Sequence, residues 1–136
     1  MDKNPKILVV DDDESNLSLL ELLLGRAGYE VTLANKGYMA IEAVDESFTV
    51  AFIDMHLPDM EGTQVIAALR QAHSSLFIVA ATMDDSLPTI KSAYKAGCDM
   101  FLVKPYDIAS LLPLVENAER GKCWIVDRLG MREYRG

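Results

Sequence analysis

Acids, a hydroxyl and an amine stand at the ends of four apolar runs. Ile7-Leu8-Val9-Val10 leads straight into Asp11-Asp12-Asp13, and Val50-Ala51-Phe52-Ile53 leads into Asp54. Phe77-Ile78-Val79-Ala80-Ala81 ends on Thr82, and Phe101-Leu102-Val103 ends on Lys104-Pro105. Carboxylates brought to one place repel one another unless a cation sits among them, so the chemistry offered first is cation binding. Short apolar runs that each deliver a polar group at their carboxyl ends describe a parallel sheet, which binds ligands at that edge.

The elements between the runs must carry the chain back across such a sheet. Leu17, Leu20, Leu24 and Ala27 recur at helical spacing after the first acids, with Ser15 or Asn16 as cap and Gly28 as stop. Residues 29–34 alternate in part, as a half-exposed strand does. Helices are expected over 37–46, 63–72 and up to Ala96, where Gly97 ends the last of these. Residues 56–62, with Pro58 and Gly62, read as loop. A short strand over 100–103 precedes a helix starting near Asp107, in which Pro113 removes one internal hydrogen bond and favours a kink. The strand–helix alternation, five times over, predicts a doubly wound α/β domain with right-handed crossovers.

Length and composition agree with one soluble domain. The chain has 136 residues, half of them hydrophobic, and a formal net charge of −8. That charge argues against direct nucleic-acid binding and against an anionic membrane surface. No apolar run is long enough for a membrane span, and the first residues lack a signal peptide's apolar stretch, so a cytoplasmic location is expected. Cys98 and Cys123 have neither metal-ligand spacing nor disulfide-scaffold density and are expected to be small, partly buried thiols. Residues 1–120 are expected to form the domain. Residues 121–136 read as an extension or the start of a linker, yet Trp124-Ile125-Val126 is too apolar for a flexible tail. Residues 123–129 are therefore expected to dock as a strand or helix on the domain, helix five being the nearest surface, or on a second copy.

The chain from about residue 6 to 118 resembles the receiver domain of two-component response regulators. The resemblance rests on Asp11-Asp12, on Asp54 within Asp54-Met55-His56-Leu57-Pro58-Asp59-Met60-Glu61-Gly62, on Thr82, and on Lys104-Pro105, in that order and spacing. It implies a five-stranded parallel sheet of flavodoxin-like order 2-1-3-4-5 with helices on both faces. It implies that Asp54 accepts a phosphoryl group as a covalent nucleophile. Asp11, Asp12, Asp54 and the backbone carbonyl of His56 would hold Mg2+, Asp11 through water. Lys104 would neutralise one phosphoryl oxygen, and Thr82 would donate a hydrogen bond to another. Thr82 and Phe101 would couple phosphorylation to the surface around the fourth helix, fifth strand and fifth helix. His56, Met83 and Asp84 would line the approach to the phosphoryl group, with bulky Met83 narrowing it. The implied donor is a histidine kinase or phosphotransfer protein. An output domain, a downstream protein and a homodimer stay open, although the charged set that one large subfamily uses for its symmetric dimer is incomplete here.

Each residue alone has a plainer reading. Asp11-Asp12-Asp13 could be a solvated turn, Thr82 a strand-end cap, Lys104 a surface charge and Phe101 a core residue; their coincidence at four strand ends favours function. Asp13 reads as a solvated neighbour, the His56 imidazole as no metal ligand, and His73 as an exposed residue at a helix end. Two alternatives compete. A haloacid-dehalogenase-like phosphatase would use Asp11 as nucleophile and Asp13 as acid, but leaves Asp54 idle. A binding module that works without phosphorylation would have no use for the intact acid set. The leading reading is a signalling switch that catalyses only its own phosphorylation and dephosphorylation, not a metabolic enzyme.

Overall fold

Each apolar run becomes a strand, and each amphipathic stretch between runs becomes a helix. The computed structural model describes residues 5–119 and 121–135. In chain order the elements are β1 (Lys6–Val10), α1 (Glu14–Arg26), β2 (Glu30–Ala34), α2 (Gly37–Ala43), β3 (Phe48–Asp54), α3 (Gly62–Ala72), β4 (Phe77–Thr82), α4 (Leu87–Ala96), β5 (Met100–Val103), α5 (Ile108–Asn117), β6 (Cys123–Asp127) and β7 (Gly130–Tyr134). The sheet order is β2-β1-β3-β4-β5-β6-β7. The 2-1-3-4-5 core is parallel throughout, as expected, and β6 continues it in parallel before β7 turns back antiparallel.

Alternation along the strands divides the core between two faces. Leu8, Val10, Ile53 and Ile78 pack with Val65, Ile66 and Leu69 of α3 and Ile90 and Ala93 of α4. Ile7, Val9, Phe52 and Val79 pack with Leu17, Leu20 and Leu24 of α1 and Leu111 and Val115 of α5. This arrangement leaves the carboxyl ends of β1, β3, β4 and β5 together at one rim. Two glycines matter locally. Gly62 starts α3 so close to Met55 that a Cβ would stand 2.5 Å from the Met55 Cα, and its amide donates to the Met55 carbonyl at 3.0 Å. Gly97 ends α4 at φ +114°, a left-handed conformation that glycine adopts without strain.

The structure differs from the expectation in four places. The segment after residue 121 does dock on the domain, but as a strand along the edge of β5 instead of across α5. Met100, Phe101 and Leu102 stand opposite Trp124, Ile125 and Val126, and the Trp124 amide donates to the Asp99 carbonyl at 2.9 Å. A β-branched and aromatic stretch fits an unpaired sheet edge well. Trp124 Nε1 donates to the Glu119 carbonyl at 3.1 Å, and on β7 Tyr134 meets Tyr94 of α4 edge-on, with ring centroids 5.1 Å apart. His73 is buried, not exposed, because its Nε2 pairs with the Phe48 carbonyl at 2.8 Å. Asp13 is exposed and outside the acid cluster, as expected, but it caps α1 in place of Ser15 or Asn16, accepting from both of their amides. The helix expected over 37–46 stops at Ala43.

α5 continues through Pro113 to Asn117. Cys98 and Cys123 are both fully buried free thiols with sulfurs 3.8 Å apart. Among the described residues no helix is long and apolar enough to cross a membrane.

Candidate functional site

The rim gathers the acids. Carboxylate oxygens of Asp11, Asp12 and Asp54 lie within 4.8 Å of one another, a hard-oxygen donor set of the kind that holds a divalent cation. Asp11 and Asp54 are buried and Asp12 is exposed. Lys104 Nζ, at the end of β5, stands 3.5 Å from Asp11 Oδ2 and 3.5 Å from Asp54 Oδ2. One ammonium cannot neutralise three carboxylates, so the set fits an added cation.

The two buried acids are tuned apart. Burial pushes Asp54 up; the His56 amide, donating to Oδ1 at 3.0 Å, and Lys104 pull down, the neighbouring Asp11 pushes up again, and the balance lies above the usual carboxylate range. Burial also pushes Asp11 up. The Asp13 amide at 3.0 Å on Oδ1, the Asn16 side-chain amide at 2.5 Å on Oδ2, and Lys104 outweigh it and hold Asp11 below that range. Both Asp11 oxygens therefore already accept from the protein.

Thr82 ends β4, wholly buried, with its Oγ1 accepting from the Asp84 amide at 3.1 Å, which leaves its own hydrogen free to donate. The Lys104 amide donates to the Thr82 carbonyl at 2.9 Å, tying the hydroxyl and the amine to one register. The Lys104–Pro105 peptide is cis. His56 is exposed. Asp84 turns its carboxylate to Ser86 and Thr89 at the start of α4. Met83 is 79% exposed on the rim of a cleft of about 700 Å³ that Asp11, Asn16, Lys104 and Tyr106 also line. Phe101 is fully buried and shares its apolar cluster with Cys123 and Ile125 of β6. The edge of β5 is thus covered by the hairpin.

Two residues of this cleft escape a reading of the sequence alone. Asn16 holds Asp11 from the first turn of α1, and Tyr106 lies near Asn16, with burial pushing its phenol up to about 12. The signal for both was weak: an amide five residues after Asp11, and a phenol two residues after Lys104.

Fold and site together define a doubly wound domain with a carboxylate–lysine centre at its strand ends. Residues 7–116 match the family model described as "response regulator receiver domain", and the chain belongs to that family. The transcriptional regulatory protein ZraR of Escherichia coli is 34% identical over 116 residues, which are 85% of this chain and 26% of that protein. CpxR of the same species is 31% identical over 88% of this chain and 51% of its own length. The chain spans about a quarter of the length of the first of these curated relatives. Among solved structures, a CheY-like receiver domain protein from Methanospirillum hungatei superposes with a TM-score of 0.77 at 30% identity, covering 84% of this chain and 92% of that one. A response regulator from Burkholderia pseudomallei, solved with a phosphorylated aspartic acid, calcium ion and citrate, gives 0.77 at 29% identity, covering 84% and 68%. The chain is therefore a response-regulator receiver. The phosphatase alternative falls with this assignment, and Asp13, committed to capping α1, is not placed as an acid for Asp11.

Proposed function

We propose that Asp54 takes a phosphoryl group from a phosphohistidine on a histidine kinase or phosphotransfer protein, with Mg2+ held beside it. The observation that carries this reading is Lys104 Nζ, equidistant from Asp11 and Asp54 within the three-acid cluster. An Asp54 oxygen attacks phosphorus, the phosphorus–nitrogen bond breaks, and its electron pair leaves with the imidazole. Charge spread over the equatorial oxygens then needs fixed partners. Lys104 supplies an ammonium, and Thr82 its unused hydroxyl hydrogen. Asp12 and Asp54 would ligate the cation directly, with the His56 carbonyl, while Asp11 acts through water because both its oxygens are engaged. The bound cation would supply charge neutralisation at the transferring oxygens.

Only self-modification is proposed, with water later attacking the acyl phosphate. Thr82 moving toward the phosphoryl group would shift β4 against Phe101, and the change would pass to α4, α5 and the hairpin that covers β5. Residues 1–120 are proposed as the receiver and 121–136 as an extension folded onto its sheet.

Labelling with a phosphorylated kinase or acetyl phosphate tests the reading. Asp54→Ala should abolish labelling, and Asp12→Ala should weaken Mg2+ binding strongly. Undiminished labelling of Asp54→Ala, mapped to another side chain, would sink the assignment. A chain that takes no label at all would instead be a phosphorylation-independent binding module.

A further inference from the structure

The β6–β7 turn arrives at the same end of the sheet as the acids. Because β6 runs parallel to β5, Asp127 and the turn residues Arg128 and Leu129 emerge beside Val103 and Lys104. Arg128 and Leu129 line a cavity of about 630 Å³ with Lys104 and Pro105, and Asp85 of the β4–α4 loop lies across it. Lys104 and Pro105 also wall the cleft over Asp11, so the two spaces adjoin.

Charge is unevenly divided along the chain. Residues 120–136 hold five Arg and Lys against two acids, a net of +3; residues 1–119 hold eight against nineteen, a net of −11. The C-terminal stretch is basic in sequence, while the hairpin itself balances Arg128 and Arg132 against Asp127 and Glu133. Lys122, Arg132 and Arg135 each stand within ion-pair distance of an acid. Asp127 is held by Arg132 at 2.8 Å. Arg128 is exposed, and it has no ion-pair or hydrogen-bond partner among the described residues.

A dianionic phosphoryl group approaching Asp54 meets Asp11 and Asp12 beside it and passes cavities that Asp13 and Asp85 line. Lys104 is already shared between two carboxylates. A cation at the rim with no ion-pair partner lowers that barrier through its charge. We propose that Arg128 is a specificity-determining residue for the phosphoryl donor, the charge by which the β6–β7 turn draws an anionic donor toward Asp54. This rests on the reading of Asp54 as phosphoacceptor.

The test measures the second-order rate constant for phosphorylation of Asp54 in the full chain, with acetyl phosphate as probe, Mg2+ present and ionic strength low. Arg128→Ala should lower it about threefold and Arg128→Glu about tenfold, and Arg128→Lys should keep it near the unmodified value. Added salt should erase most of the difference. The drop should be smaller with phosphoramidate, which carries less negative charge, and absent from hydrolysis of phospho-Asp54, whose attacking water is neutral. Equal rates for Arg128→Glu and the unmodified chain at low salt, with label on Asp54, overturn the proposal alone. An equal drop with both donors and in hydrolysis also overturns it, since the effect would not be one of charge. Absence of label on Asp54 in the unmodified chain overturns the acceptor reading together with this one.

Discussion

Asp54→Asn isolates what the buried acid costs the fold. At an effective dielectric of about 20, repulsion between Asp54 and Asp11, whose oxygens lie within 4.8 Å, is worth at least about 3.5 kcal/mol, and attraction to Lys104 across 3.5 Å about 4.7 kcal/mol. Exposed Asp12 adds about 1 kcal/mol of repulsion at the dielectric of water. The charge effects nearly cancel, so burial of the carboxylate decides, as its raised pKa indicates. Without metal, Asp54→Asn should stabilise the domain by about 1–2 kcal/mol, or about 3–8 °C in Tm. The sign with pH follows from the same shift. Folded Asp54 keeps its proton to higher pH than the unfolded chain does, so its charge costs stability as pH rises through the folded pKa. The gap between variant and unmodified chain should therefore open with rising pH and close in acid. Mg2+ at a hundred times its Kd should add about 2.7 kcal/mol to the unmodified chain and far less to the variant. Thermal melts in EDTA and in graded Mg2+, followed by circular dichroism, measure all of this. A lower Tm for Asp54→Asn in EDTA, or equal Mg2+ increments in both chains, would refute the reasoning.

Three further outcomes are expected. Arg70 donates to the carbonyls of Ser74, Leu76 and Gly97 and to Asp99 at 2.6 Å, so Arg70→Ala should cost about 3–4 kcal/mol, read as a fall in the denaturation midpoint. Trp124, the only tryptophan, is half-buried with its Nε1 bonded, so its fluorescence should be partly blue-shifted and only partly open to acrylamide. Freely quenched, fully red-shifted emission would contradict the docking of β6. Met83→Ala should quicken both phosphorylation by small donors and hydrolysis of phospho-Asp54, by no more than a few-fold because Met83 stands on the rim; unchanged rates would remove it from the approach.

The candidate site was legible because Asp11, Asp12, Asp54, Thr82 and Lys104 each interrupt an apolar run at the point where a parallel strand ends. What stayed hidden was tertiary. His73 looks like a helix-end surface residue until Phe48, 25 positions earlier, brings its carbonyl against the ring. Asn16 looks like a cap until Asp11 turns toward it. Trp124-Ile125-Val126 is too short for its period to separate strand from helix, and the mate that decides the matter, Gly130–Tyr134, reads as polar sequence. Phe101 was placed on β5 by its spacing from Lys104, whereas the covering of its strand by β6 had no local signature.

The inherited unit and the physical unit of this chain end at different residues. The match to the family model ends at 116, while one continuous sheet runs on to Tyr134. Anyone grafting this receiver onto a foreign effector would cut near 120 by homology, and would thereby strip the partner from β5 and bare Met100, Phe101 and Leu102 along a freshly opened edge. Such an edge recruits strands from other molecules. The resulting chimera would report stickiness where signalling was intended, so modular exchange with this protein has to carry the hairpin along as part of the cargo.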